Sequence, residues 1–208
     1  MKLKVVQNTQ HGHPKILERC PQCGKEAVFE NLGTHDVYIG NKTICGQRKC
    51  PNPECSGHLF FVQQSGKLVA SYPAITLDFD SENIPERIKS TFEEALNCLA
   101  AGCFIASAIM VRRTLEEVCE DKNATGNNLK AKIKDLGSKI VIPQELLEAM
   151  DELRLLGNDA AHIEAKQYDQ ITGIELEVAI AITKEIMKSL YQYSTLLGKL
   201  RSLKNGNA

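Results

Sequence analysis

The chain has no tryptophan, and only five tyrosines and six phenylalanines among its 208 residues. Bases of a single strand stack on aromatic faces, so an aromatic content of 5% offers few platforms and argues against strong sequence readout. No apolar run approaches the roughly 18 residues that a membrane-spanning helix needs, and no membrane partner is expected. Internal repeats and low-complexity segments are also lacking. An excess of either sign of charge is lacking as well, the net value being −1. What is there, 43% apolar and 25% charged residues, is the composition of a globular protein, with room for one ordinary domain and a small module.

The near-neutral total hides an asymmetry. Residues 1–72 hold nine Lys and Arg against five Asp and Glu, a net +4, while residues 73–208 hold sixteen against twenty-one, a net −5. The first third is therefore the end that suits phosphate, with Arg48 and Lys49 as its candidate nucleic-acid contacts. A merely solvated basic face is the competing reading at so small an excess.

That first third also carries four cysteines in two short loops, Cys20-Pro-Gln-Cys23-Gly and Cys50-Pro-Asn-Pro-Glu-Cys55, separated by a strand-like stretch. Gly24 lets the first loop fold back, and Pro51 and Pro53 stiffen the second, so all four thiolates can aim at one tetrahedral ion. Disulfides are the alternative. The opening residues show no apolar signal segment, so a reducing, cytoplasmic setting is expected and structural zinc on Cys20, Cys23, Cys50 and Cys55 is favoured. Cys45, His35 and His58 lie close enough in sequence to replace one ligand. A closed four-thiolate shell leaves no position for a reacting water, and in so small a module its binding free energy, on the order of 10 kcal/mol, stands in for a hydrophobic core.

Residues 58–62 and 67–72 read as strands joined by a turn at Ser65-Gly66, and Pro73 ends the second. A zinc ribbon over 1–72, a linker over 73–84, a helical bundle over 85–203 and a frayed tail over 204–208 are expected, giving an α+β chain. Pro85 and Pro143 start helices. The expected inward residues include Ile105, Ile109, Leu115 and Val118 on the second helix. On a long fifth helix, from about 170 to 200, they include Ile174, Val178, Ile182, Ile186, Tyr193 and Leu197. Short loops favour antiparallel neighbours, hence an up-and-down bundle. Cys98, Cys103 and Cys119 on these helices read as core residues.

The helical half has a single histidine, His162. If its helix continues through Gly157, then Arg154, Asn158 and His162 step by four residues and share one polar face, beside the small Ala160 and Ala161. Two structural readings compete with a catalytic one. Gly157 can cap the helix, or the polar residues can pair with Arg112 and Arg113 of Val111-Arg-Arg-Thr-Leu-Glu-Glu117.

The run Leu153-Arg-Leu-Leu-Gly-Asn-Asp-Ala-Ala-His162, with Met110-Val-Arg-Arg-Thr-Leu-Glu116 and Gly46-Gln-Arg-Lys-Cys-Pro51, resembles the family called domain of unknown function 4145. The resemblance covers most of the chain. The family's helical part is similar to the HEPN superfamily of all-α bundles. These occur in prokaryotic toxin, anti-phage and RNA-processing systems, and many are metal-independent endoribonucleases that work as dimers. Their catalytic members carry an arginine, four to six intervening residues and a histidine, whereas seven residues separate Arg154 from His162.

The resemblance thus implies an endoribonuclease in which His162 acts as acid or base, Arg154 holds phosphate and Asn158 orients either group, in a homodimer. A kink at Gly157, or an arginine from Arg112, Arg113 or the partner chain, would restore the stretched site, and Arg112 and Arg113 are further candidate nucleic-acid contacts. The alternative is a non-catalytic module that binds nucleic acid or a protein partner, in which the same three residues hold the turn between helices. The stretched spacing favours the second reading, and the isolation of the histidine on a polar face favours the first.

Overall fold

The computed structural model describes residues 9–11, 14–33, 35–162 and 170–204. The protein is α+β, with N-terminal strands followed by helices, and divides into two compact units, residues 1–78 and 79–208.

The first unit is antiparallel throughout. Its strands are β1 (Thr9–His11), β2 (Leu17–Arg19), β3 (Glu26–Val28), β4 (Glu30–Asn31), β5 (Asp36–Gly40), β6 (Thr43–Lys49), β7 (His58–Gln64) and β8 (Lys67–Tyr72). The main sheet runs β1-β5-β6-β7-β8 with β4 on the free part of β6, and β2 and β3 form a separate hairpin. Two hairpin turns hold consecutive residues at positive φ, Asn41-Lys42 at 50° and 55° and Ser65-Gly66 at 51° and 83°. This is the backbone that matches the twist of the flanking strands. Along β7, Leu59, Phe61 and Gln63 point into the core and Phe60 points out. The core itself is small, built from Ile16, Cys20, Phe29, Cys50, Leu59 and Phe61.

Arg48 lies in this core at 1% exposure, a correction to its expected place against phosphate. Its guanidinium clamps Asp36 through Nη1–Oδ1 at 2.8 Å and Nη2–Oδ2 at 2.6 Å, and donates to the carbonyls of Pro14 and Gln47 at 2.9 and 2.7 Å. It also lies 4.6 Å over the Phe61 ring. A buried charge persists only when paired and hydrogen-bonded, and Arg48 is both. Gly46 makes the pair possible, since a Cβ there would sit 2.0 Å from Asp36 Oδ1.

The second unit comprises α1 (Glu86–Ala100), α2 (Phe104–Asp121), α3 (Leu129–Lys139), α4 (Gln144–Ala161), α5 (Gly173–Met187), a π-helical turn over Lys188–Gln192 and α6 (Tyr193–Lys204). Pro85 and Pro143 immediately precede α1 and α4, Asn128 caps α3 by accepting the Ala131 N–H at 2.9 Å, and Thr172 with Glu175 forms a capping box on α5. Helix α2 is central and packs against α1, α3, α4 and α5. The π turn is fastened on both sides. Tyr191 Oη donates to Asp121 at 2.8 Å, and Gln192 Nε2 donates to the carbonyls of Asp80 and Glu82 at 3.0 and 3.3 Å. Among the described residues, no helix is long and apolar enough to cross a membrane.

Two inward faces differ from expectation. Ile105 and Ile109 of α2 are 59% and 37% exposed, because the smaller Ser107 and Ala108 turn inward and let Ser107 Oγ donate to Ala95 O of α1 at 2.8 Å. On α5, Leu176, Ala179, Ile180 and Thr183 are buried, while Ile174 and Val178 are exposed. Tyr193 and Leu197 of α6 are exposed too. A helix apolar on nearly every side does not name its inner face by period.

Helix α4 continues through Gly157 and crosses α2 there. A Cβ on Gly157 would stand 2.5 Å from the Cβ of Arg112, so the axes meet only because that position has no side chain. Gly157→Ala would ordinarily favour a helix interior by about 1 kcal/mol. Here it is expected to cost roughly 1–3 kcal/mol by forcing the helices apart, measured as an earlier urea midpoint in helical circular dichroism. An unchanged or later midpoint would contradict the close crossing.

Candidate metal centre and polar helix face

The hairpin β2–β3 presents the first cysteine pair. Cys20 follows β2, its N–H donates to Lys25 O at 2.9 Å, and Gly24, at φ +72°, returns its N–H to Cys20 O at 2.9 Å. Cys23 sits inside that turn. The second pair follows β6: Cys50 N–H donates to Gly57 O at 2.8 Å, and the N–H groups of Cys55 and Ser56 both reach Asn52 O, at 3.0 and 2.9 Å. Gln22 ties the loops together by donating from Nε2 to His58 O at 3.0 Å.

The four sulfurs lie within 4.8 Å of one another, with Cys20–Cys55 at 3.7 Å and Cys23–Cys50 at 3.8 Å. A tetrahedral ion with metal–sulfur bonds of about 2.3 Å sets its sulfurs about 3.8 Å apart, so these residues fit one ion of that kind. Their ionisation differs. The Lys25 backbone N–H holds the Cys23 thiol down at about 6, whereas burial pushes Cys50 up to about 12 and raises Cys55. A bound cation would offset the cost of the buried thiolates. Cys45 and His58 stand elsewhere: Cys45 is paired with Val62 in the β6–β7 ladder, and the His58 imidazole meets Gln47 Oε1 at 3.0 Å. Neither they nor His35 belong to the group of four.

The polar face of α4 is less unified than its four-residue steps suggest. Arg112 Nη1 donates to Asn158 Oδ1 at 2.6 Å and to Arg154 O at 3.3 Å, and its Nη2 pairs with Glu116 at 3.1 Å. Arg154 turns to Asp151, Nε–Oδ1 2.6 Å, and holds that carboxyl below its usual range. His162 caps the end of α4, with its N–H on Asn158 O at 3.0 Å and its residue exposed. Thus the structure joins Asn158 to Arg112 and leaves Arg154 in a separate pair.

Arg113 and Arg87 both address Glu117 Oε1, at 3.3 and 3.2 Å. Glu117 is 3% exposed, and its second oxygen has no hydrogen-bond partner among the described residues. Lys49 remains at the surface of the first unit, 3.4 Å from Glu30. Sequence reasoning passed over Asp36, whose role is signalled only by the glycine two residues before Arg48.

A cysteine-ligated ribbon followed by a helical bundle is the class that this fold defines. The family model described as Domain of unknown function (DUF4145) matches residues 93–205, more than half of the chain, and the chain belongs to that family. The match covers α2 to α6 and with them every residue of the polar face. No curated protein and no solved structure matches the chain.

Metal removal separates the two units. A strong thiol-competent chelator is expected to release one metal ion per chain and to open the ribbon to protease, while the helical circular dichroism stays within about a tenth of its value. Cys50→Ser should bind the ion at least about tenfold more weakly. Retention of a closed ribbon after complete metal removal would contradict the centre's structural role.

Proposed function

We propose that the chain is a zinc-stabilised nucleic-acid-binding protein whose helical bundle is an interaction scaffold rather than a ribonuclease. The observation that carries the second half is the Arg112–Asn158 hydrogen bond at 2.6 Å above Gly157. It engages one of the three candidate catalytic groups in helix packing, while Asp151 engages another. Along a continuous α4 the Cα atoms of Arg154 and His162 are about 12 Å apart, and the arginine leans away toward the helix N-terminus. Support for nucleic acid comes from the charge of the first 72 residues, net +4, which is unchanged when the internal Arg48–Asp36 pair is left out. Zinc suits the closed set of four soft thiolates and would be structural there, with no position for substrate.

A second reading keeps the metal-independent endoribonuclease, because His162 is exposed. Its imidazole would take the ribose 2′-OH proton or return one to the leaving 5′-oxygen, with a homodimer supplying the second histidine and an arginine. Ile174 and Val178, exposed one turn apart on α5, offer such a dimer an apolar face.

Cleavage of a mixed RNA pool by the zinc-loaded protein in buffer free of EDTA and Mg²⁺, run beside His162→Ala, separates the two. The scaffold reading expects RNA to be bound and left intact by both proteins. Products with 2′,3′-cyclic phosphate ends from the wild type, lost in the variant, would overturn it.

A further inference from the structure

The few aromatic residues of the chain are not spread evenly. Strand alternation in β7 sends Leu59 and Phe61 into the ribbon core and turns Phe60 outward, 46% exposed. Its partner across the β7–β8 ladder is Tyr72, 74% exposed. Directly opposite residues on one sheet face stand about 4.5–5.5 Å apart at Cβ, close enough for two rings to form one platform. On the other side of Phe60 the ladder partner is Gln47, and the His58 ring packs against Phe60 with centroids 4.4 Å apart and planes tilted by 50°.

The same face ends in cations. Lys49 pairs across from His58 at one end, and Lys67 pairs across from Gln64 at the other. Lys49 pairs with Glu30 at 3.4 Å, and both side chains are exposed, so water and salt weaken the pair readily. Aromatic rings between lysines, on the unit with the basic excess, match a chain of bases strung on phosphates. Around the apolar centre of this face, Phe60, Tyr72, Val62 and Ala70, stand Gln47, His58 and the two lysines, so its rim suits a polyanion.

We infer that this open sheet face binds single-stranded RNA, with Phe60 and Tyr72 each stacking one base and Lys49 and Lys67 meeting the flanking phosphates. The inference rests on the nucleic-acid reading above and deepens it by naming the surface and the strandedness. The choice of RNA over DNA comes from the edge of Phe60. There Gln47 Oε1, already met by His58 Nε2 at 3.0 Å, has a second lone pair to offer the 2′-hydroxyl of the nucleotide whose base stacks on that ring.

The test uses the full zinc-loaded chain and a fluorescein-labelled, mixed-sequence RNA single strand of about ten nucleotides, followed by anisotropy. Tyr72→Leu and Phe60→Leu should each weaken binding by roughly 5- to 100-fold. Phe60→Tyr, which keeps the ring, should bind within about twofold of wild type, and so should Tyr193→Leu, which removes an exposed ring of the helical unit. Zinc content and circular dichroism establish that each variant is folded, and Tyr72, the more exposed ring, is the safer substitution. DNA of the same sequence should bind more weakly. If the wild type binds RNA and the leucine variants bind equally well, the platform is overturned while the nucleic-acid reading survives, and the face is left to a protein partner. Equal affinity for DNA would overturn the assignment to RNA. No binding of either strand by the wild type would overturn the platform and the nucleic-acid reading together.

Discussion

Four sulfurs brought within 4.8 Å of one another are the constraint on which the first unit depends. Without a cation, crowded thiols offer little attraction, and burial works against the charge of Cys50 and Cys55. Six buried apolar residues make a thin core for such a sheet, and two of those six are the cysteines themselves. A metal ion on the four sulfurs would supply what the core lacks. It would fasten the β2–β3 hairpin to the loop after β6, and that loop leads into β7, whose alternation sets both the core and the open face. Arg48 extends the same economy of space: its ion pair with Asp36 fills volume that a larger domain would give to leucine and phenylalanine.

The helical unit is organised by a different constraint, the near-contact of α2 and α4 at Gly157. At that crossing the arginine of one helix reaches the asparagine of the other, and the hydrogen bond fixes their register. A polar face that looks catalytic as a pattern of residue types is thereby divided among partners. Arg112 serves Asn158 and Glu116, Arg154 serves Asp151, and His162 stands at the helix end. Family membership over residues 93–205 identifies the bundle without assigning it a reaction.

Much of this was legible in the residues. Two short cysteine loops of this spacing suit one metal ion, and their convergence follows from the turn chemistry of Gly24 and the prolines. The ends of β8 and the starts of α1 and α4 are marked by Ser65-Gly66, Pro73, Pro85 and Pro143, which act locally and so read locally. Burial of Arg48 was not legible, because it depends on Asp36, which the fold brings from another strand. Nor was the inner face of α5, where isoleucine, leucine and valine occur all round the helix and packing against α1, α2 and α4 selects among them. The rarity of aromatics suggested that stacking surfaces were scarce. Strand pairing places Phe60 opposite Tyr72, and sequence distance conceals that proximity.

X-ray absorption at the zinc edge, on protein purified with its native metal, tests the central constraint most directly. The account predicts a single shell of four sulfurs at about 2.3 Å and no nitrogen. A mixed shell with nitrogen at about 2.0–2.1 Å, from a histidine such as His35 or His58, or an oxygen from bound water, would contradict a closed four-cysteine centre.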